Sequence, residues 1–267
     1  MAKIGILACK MLQDEIIYLI QNDPDVHDVV VIENGEHPEF IKKMEKCGLS
    51  YTLIPSVDDM PDIDSSACSD SLSVVVWNLQ LGLHEFPKKL KEEVYECAEI
   101  FAKKVSGIYL LYGLCGNVLG KIESDFESLC PTCPIVILRD NDGEIVDDCI
   151  GATIGGRRAY LNLLKSFKGV GTFIFTPMYS ASADEFFGYS RRQHTLTEEQ
   201  IVEMNKYMFK AANYKRVANL ETGLHYNENT EENLQKFADR YEFEVIQLSG
   251  GNQEIFWNCY EKLKSII

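Results

Sequence analysis

The stretch that decides the fold is "YLLYGLCGNVLG", residues 109–120, in which an apolar run leads into closely spaced glycines. Apolar residues of the β-forming type, followed by glycines and an asparagine, indicate a buried strand that ends in a tight turn. The turn puts Cys115 at the carboxyl end of that strand. In open parallel α/β sheets this edge binds ligands, because the loops vary while the sheet holds them rigidly. Cys115 is therefore either a ligand-binding residue or, like most free cysteines, a small buried hydrophobic residue.

Strand and helix patterns alternate along the rest of the chain. "KIGILAC" (3–9) is a short apolar run typical of a strand, and "MLQDEIIYLIQND" (11–23) has apolar residues at helical spacing. The other predicted strands lie in "DVVVIEN", "SYTLIP", "LSVVVWNLQLGLH", "PIVILRD", "GTFIFTP", "YKRVANLET" and "FEVIQLSG". This alternation predicts an α/β fold with a Rossmann-like, mostly parallel sheet and helices on both faces. We predict a single α/β domain over residues 1–267, in which a division into two lobes would fall near 150–190.

The charge of the chain limits its partners. With 41 acidic and 26 basic residues the formal net charge is −15, and no long block of lysine or arginine is present. We therefore expect no nucleic-acid partner and no binding to an anionic membrane. No apolar run approaches the ~20 residues of a spanning helix, and the first residues lack the pattern of a signal peptide. We expect a cytoplasmic protein, in which the nine cysteines serve metal, redox, catalytic or packing roles rather than a disulfide framework.

Four potential metal ligands follow predicted strands. Cys9 ends the first strand, His84 follows "SVVVW", Cys115 follows "IYLLY", and Cys149 follows "VILRD" after a loop. Right-handed crossovers bring the carboxyl ends of parallel strands to one edge, so these side chains can converge. Three thiolates and an imidazole suit zinc, and an iron–sulfur cluster is an alternative that prefers four cysteines. On spacing alone, the favoured interpretation is that two or three of them simply pack in the core.

A second cysteine pattern is "CPTCP", where Cys130 and Cys133 have the separation of a zinc knuckle or a redox pair. No second pair stands at matching spacing, and the motif precedes its strand, at the opposite edge of the predicted sheet. We therefore interpret it as incidental, with a redox or metal role as the alternative. The glycines of "GLCGNVLG" also suggest a dinucleotide loop, but their order and the missing acidic residue make that signal weak.

Both Cys115 and Cys149 are predicted at helix starts, where backbone N–H groups lower the pKa of a thiol. Asp147 and Asp148 add negative charge beside Cys149, and they either orient a ligand or cap the helix. In the turn around Cys115, backbone N–H groups predict a cofactor-binding role. The residues assigned to it are Gly113, Gly116 and Asn117.

The segment "GATIGGRRAYLNLLKSF" (151–167) is predicted to form one helix. On such a helix Arg157 lies about two turns beyond Cys149 and shares its face. Arg158 is rotated away by about 100°. A guanidinium at that edge would hold an anionic group in a bidentate manner, so Arg157 is a candidate for binding an anionic substrate.

Five segments resemble, in order, the motifs of domain-of-unknown-function family 1638 from Cys9 to about Pro177. They are "ILACKMLQDEI", "GLHEFPKKLKEEV", "LLYGLCGNVLG", "DDCIGATIGGRRAY" and "GTFIFTP". The resemblance implies a cytoplasmic α/β protein of anaerobic archaea and bacteria that is associated with corrinoid-dependent methyl transfer. The motif residues that it implies are Cys9, His84, Cys115, Cys149, Arg157 and Tyr160, and they do not include Cys130 and Cys133. The chain departs from the family pattern in "LRDNDGEIVDDC", which has inserted residues and no histidine.

Two classes of function follow from these residues. In the first, the four ligands bind zinc in a methyltransferase that activates a small anionic thiol, with Arg157 and Tyr160 as catalytic residues and a methyl donor or corrinoid protein as partner. In the second, the chain is a carrier or accessory protein for a metal, an iron–sulfur cluster or a corrinoid. A metal-free nucleophile at Cys115 is a third option, for which no paired histidine is evident.

Overall fold

The computed structural model describes residues 2–60, 71–81, 83, 86–187 and 196–267. The strands are β1 (Ala2–Cys9), β2 (Val26–Ile32), β3 (Thr52–Ile54), β4 (Leu72–Leu79), β5 (Gly107–Leu111), β6 (Ile135–Ile137), β7 (Gly171–Phe175), β8 (Tyr214–Glu221) and β9 (Glu244–Ser249). The α-helices are α1 (Gln13–Asn22), α2 (His37–Lys46), α3 (Pro87–Phe101), α4 (Ile122–Leu129), α5 (Cys149–Ile154), α6 (Arg157–Ser166), α7 (Pro177–Ala181), α8 (Ala183–Phe187), α9 (Glu198–Ala211), α10 (Thr230–Tyr241) and α11 (Glu254–Lys264). Among these described helices, none has the length and apolar character needed to cross a membrane.

The chain forms two compact units. The first consists of Met1–Arg157 together with Gln253–Ile267, and the second of Arg158–Asn252. The sheet of the first unit has six strands in the order β3-β2-β4-β1-β5-β6, and every adjacent pair is parallel. The central strands β1, β4 and β5 are almost wholly buried, as expected for apolar strands that are covered on both faces. The predicted mostly parallel, Rossmann-like α/β fold is confirmed.

The strand order reverses direction between β4 and β1. From β1 the chain crosses β4 to reach β2 and then β3, whereas from β4 it crosses β1 to reach β5 and then β6. Right-handed crossovers in opposite directions place their helices on opposite faces of the sheet. The loops after β1 and β4 therefore diverge, and such a switch point is where open α/β sheets bind ligands.

The last helix, α11, belongs to the first unit although it follows the second in sequence. The Tyr109 hydroxyl, on β5, donates a hydrogen bond of 2.8 Å to the Phe256 carbonyl. The Tyr260 hydroxyl donates to Asp23 over 2.8 Å, and the Lys264 ammonium lies 2.9 Å from the same carboxylate. Because Asp23 is buried, these contacts fix the helix against the loop between α1 and β2.

The second unit is built on a parallel sheet of three strands in the order β7-β8-β9. Its core is aromatic: the Phe175 and Phe237 ring centroids lie 4.7 Å apart, and those of Phe237 and Tyr241 lie 4.9 Å apart. Helices α7 and α8 follow β7, where the sequence pattern had predicted no helix. They lie in a short polar-rich segment whose helical periodicity is too brief to recognise.

The single helix predicted over 151–167 is wrong, because α5 ends at Ile154 and α6 begins at Arg157. Gly155 and Gly156 separate them with φ values of 105° and 99°, a conformation that favours glycine. A Cβ on Gly156 would lie 2.3 Å from the Asp140 Cβ, so the close approach also requires glycine. Cys149 and Arg157 therefore begin two different helices and do not share one helical face.

Candidate functional site

The carboxyl ends of β1 and β5 bring Cys9 and the "GLCGN" turn to the same edge of the sheet. The strands are parallel neighbours in which Ala8 pairs with Leu111, so Cys9 and Tyr112 both leave the sheet at the next position. Cys9 and Tyr112 are fully or almost fully buried. On its other side, Cys9 pairs with Leu79 at the end of β4. The predicted position of Cys9 at the carboxyl edge is confirmed.

The turn after β5 contains three consecutive residues with positive φ, and it contacts the segment before α5. Cys115 has a φ of 43°, and Gly116 and Asn117 follow with φ values of 80° and 64°. Positive φ is unusual for residues other than glycine and marks a backbone held by its surroundings. A Cβ on Gly113 would lie only 2.5 Å from the Val146 carbonyl oxygen, so this position requires glycine.

Two backbone hydrogen bonds join this turn to the approach to Cys149. The Leu114 N–H donates to the Val146 carbonyl over 2.8 Å, and the Cys115 N–H donates to the Asp147 carbonyl over 3.1 Å. Cys115 is thereby tied to a residue two positions before Cys149, which is buried as the first residue of α5. The structure thus brings both cysteines to the same region.

The half-buried Asp148 caps α5. Its carboxylate accepts a 2.7 Å hydrogen bond from the Gly151 N–H. Burial raises the pKa of Asp148, and the hydrogen bonds from the backbone oppose that shift. The capping role, one of the two predicted for this aspartate pair, is confirmed for Asp148.

Burial, rather than a helix start, dominates the pKa of the Cys9 and Cys115 thiols. Desolvation raises the pKa of Cys115 to about 12, although a backbone hydrogen bond opposes the shift. Burial also raises the pKa of Cys9, and the charge of Cys115 adds to that effect. The predicted helix start at Cys115 is wrong, since α4 begins only at Ile122, and the expected lowering of its pKa is wrong for the same reason.

The hydroxyl of Tyr112 is the common neighbour of these cysteines. Its pKa is raised well above the ordinary value, first by burial and then by the charges of Cys9, Cys115, Cys97 and Cys149. Cys97, on the buried face of α3, was not among the predicted site residues. Its position on an apolar helix face resembles that of an ordinary core residue. The spacing of the sequence therefore gave no signal for it.

Arg157 is engaged by carboxylates of its own unit. Its Nε lies 3.1 Å from Asp147 Oδ1, and one terminal nitrogen lies 3.7 Å from Glu144 Oε2. Its backbone N–H donates to Asp140 over 3.2 Å. The guanidinium is half exposed, so these surface pairs are weak. Its role in binding an anionic substrate stays a prediction.

The remaining predicted residues are placed as follows. Tyr160 lies on α6 and is half-buried, and Arg158 on the same helix is exposed. Gly116 and Asn117 are exposed in the turn, and their cofactor role, with that of Gly113, stays a prediction. His84 lies outside the described residues.

Cys130 and Cys133 lie at the opposite edge of the sheet, as predicted. Cys133 precedes β6, and the carbonyl of the intervening Pro134 accepts a hydrogen bond from Ile108 at the amino end of β5. The Cys133 N–H donates to the Cys130 carbonyl over 3.0 Å, so the motif is a tight turn. Both cysteines are free thiols.

In the part of the chain that the structure describes, no group of three or more histidine, cysteine, aspartate or glutamate side chains is arranged to hold a metal ion. A family model described as "Protein of unknown function (DUF1638)" matches residues 78–258. This range contains the turn around Cys115, α5 and the whole of the second unit, whereas Cys9 precedes it. No curated protein and no solved structure matches the chain.

Proposed function

The chain belongs to domain-of-unknown-function family 1638, and we propose that it binds zinc through the thiolates of Cys9, Cys115 and Cys149. The observation that carries the proposal is that Cys9, Cys115 and Cys149 belong to three separate segments that meet at the carboxyl edge of one sheet. The register of β1 and β5 and the hydrogen bond between Cys115 and Asp147 support it. His84, which follows β4, is the proposed fourth ligand.

The chemistry of the donor set fits this metal. Zinc prefers sulfur and nitrogen donors in a set of four. Burial keeps Cys9 and Cys115 protonated when no cation is near, and a bound metal supplies the charge that stabilises their thiolates. Zinc would supply Lewis acidity, which stabilises a substrate thiolate at neutral pH. Asp148 would hold the start of α5, and with it Cys149, in place.

The reaction that we propose for this site is methyl transfer to a small anionic thiol, with Arg157 as the candidate that contacts the substrate. The catalytic role of Tyr160, which belongs to the second unit, stays a prediction. In this transfer a carbon–sulfur bond forms while the bond between the methyl group and its donor breaks. With methylcobalamin as donor, the electron pair of the broken bond stays on the corrinoid. Thioether formation and the loss of the methylcobalamin absorbance measure turnover.

The alternative is a carrier for an iron–sulfur cluster, and Cys97 is the observation that favours it. Four cysteines influence the hydroxyl of Tyr112, and a cluster prefers four cysteines. Replacing Cys97 by serine separates the two proposals. Zinc held by three cysteines and His84 would survive this change, whereas a cluster that uses Cys97 would be lost.

Metal analysis of protein purified without oxygen tests the binding proposal. We expect about one zinc per chain and no colour, whereas a broad brown absorbance would support the cluster. Cys115→Ser should lower the metal content sharply, because it removes one of about four bonds. The matched control is a variant in which Cys130 and Cys133 are both replaced by serine. These cysteines lie at the other edge of the sheet, so the variant should retain the metal. Metal-free protein in which all nine thiols titrate freely would refute the proposal.

A further inference from the structure

A cleft of about 340 Å³ opens at the carboxyl edge of the first unit. It is bounded by the residues that follow β2 and β3, by the end of β4, and by α3. Leu79 lines it, and the strand partner of Leu79 is Cys9. The volume is within the range of small-molecule sites, and the carboxyl edge is where open parallel sheets bind ligands.

One wall of the cleft is apolar and carries a fixed aromatic ring. Ile32 and Leu79 are buried there, and Trp77 is half-buried. The Trp77 ring meets Phe101 edge to face, with centroids 5.7 Å apart and an interplanar angle of 87°. Because this contact restrains the indole, the cleft presents an aromatic surface whose position is set before any ligand arrives.

The polar lining of the cleft is negatively charged. Glu33 follows β2, Asp58 follows β3 and Glu93 projects from α3, and the cation among the lining residues is Lys89. Within the described ranges, none of these four side chains forms an ion pair. Among the described lining residues, three carboxylates from separate segments therefore face the cleft, and one ammonium balances them. In a chain with a net charge of −15, this lining repels anions.

We propose that the cleft binds a small organic cation, a molecule with an alkylammonium group. The carboxylates attract the positive charge, and the indole of Trp77 favours an ammonium over its face. A phosphate or carboxylate ligand would meet an excess of like charge, which disfavours it. The inference concerns residues outside the proposed metal site, and it stands whether or not a metal is bound there.

Choline and its uncharged isostere 3,3-dimethyl-1-butanol test the proposal, because the two molecules share a shape and differ in charge. The chain has two tryptophans, so a Trp257→Phe background leaves Trp77 as the fluorescent reporter. We expect saturable quenching by choline and binding of the isostere that is weaker by about fivefold or more. Glu33→Gln and Glu93→Gln should each weaken choline binding by about three- to tenfold.

The matched control is Glu96→Gln, an exposed glutamate on α3 outside the cleft, which should leave the choline affinity within about twofold. Equal binding of the isostere, unchanged affinity in Glu33→Gln and Glu93→Gln, or preferential binding of mercaptoacetate would overturn the proposal. The Cys115→Ser variant should bind choline normally. Loss of metal with retained choline binding, or the reverse, would show which of the two sites fails.

Discussion

The buried carboxyl of Glu15 makes the stability of the first unit depend on pH. Glu15 lies on α1 and is almost fully buried, and its Oε2 has no hydrogen-bond partner among the described residues. Burial raises its pKa from 4.5 to about 8, with a further contribution from the charge of Asp14. Lys43 opposes the shift, but its ammonium lies 2.8 Å from Asp14 and so is shared with that carboxylate. Burial raises the pKa of Tyr109, and the charges of Cys259 and Glu15 add to that shift.

The sign of the effect follows from the order of the two pKa values. The folded state holds the Glu15 proton to about pH 8, whereas the unfolded chain releases it near pH 4.5. The contribution of protonated Glu15 to the free energy of unfolding is therefore fully present below pH 4.5, and it is lost as pH rises through about 8. At about 1.4 kcal/mol per pKa unit, Glu15 alone lowers the free energy of unfolding by about 3 kcal/mol between pH 5 and pH 8.

Urea denaturation at several pH values measures this dependence. Both tryptophans, Trp77 and Trp257, lie in the first unit, so their fluorescence reports its unfolding. In Glu15→Gln we expect this part of the pH dependence to disappear, whatever constant change in stability the amide introduces. The control is Glu92→Gln, an exposed glutamate on α3, which should keep the wild-type dependence. If Glu15→Gln and wild type lose stability in parallel from pH 5 to pH 8, the reasoning is refuted.

Two pairs of substitutions, each a test variant with its control, probe packing by the same denaturation assay. Asp23→Ala removes the buried carboxylate that pairs with Lys264, and it should lower the free energy of unfolding by about 3 kcal/mol. Asp25→Ala removes an exposed partner of the same lysine and should cost less than about 1 kcal/mol. Gly113→Ala should destabilise the first unit by about 1 to 3 kcal/mol, because the added Cβ would clash with the Val146 carbonyl oxygen. Gly35→Ala, which has open space around the added Cβ, should be nearly neutral.

For each pair of variants, one outcome would contradict the expectation. Equal losses from the two aspartate variants would show that burial does not distinguish the ion pairs that Lys264 forms with Asp23 and Asp25. If Gly113→Ala were as stable as Gly35→Ala, the turn after β5 would be able to move away from its neighbour. The close approach of Gly113 to the Val146 carbonyl would then not be what positions Cys115.

Local patterns in the sequence predicted most strands and helices. Apolar runs such as "KIGILAC" and "IYLLY" are short and bounded by polar residues or glycine, so they determine strands by themselves. The rule for parallel crossovers then placed Cys9 and Cys115 at the carboxyl edge and Cys130 and Cys133 at the amino edge. The break at Gly155 and Gly156 had a local signal too, because paired glycines favour turns over helices.

Other properties depend on contacts between residues that are distant in sequence. Nothing in the spacing of α11 shows that it returns to the first unit, because its place is set by hydrogen bonds to Asp23 and Tyr109. Nor does the sequence show Cys97 near Tyr112. The pKa of Cys115 was predicted in the wrong direction because desolvation, a product of all its neighbours, exceeds the effect of the local backbone. The sequence by itself determined most of the elements and the edges at which Cys9, Cys115, Cys130 and Cys133 lie, since both follow from local periodicity and strand direction. Only the tertiary structure decided which side chains share a buried environment, because burial and charge depend on every segment packed around them.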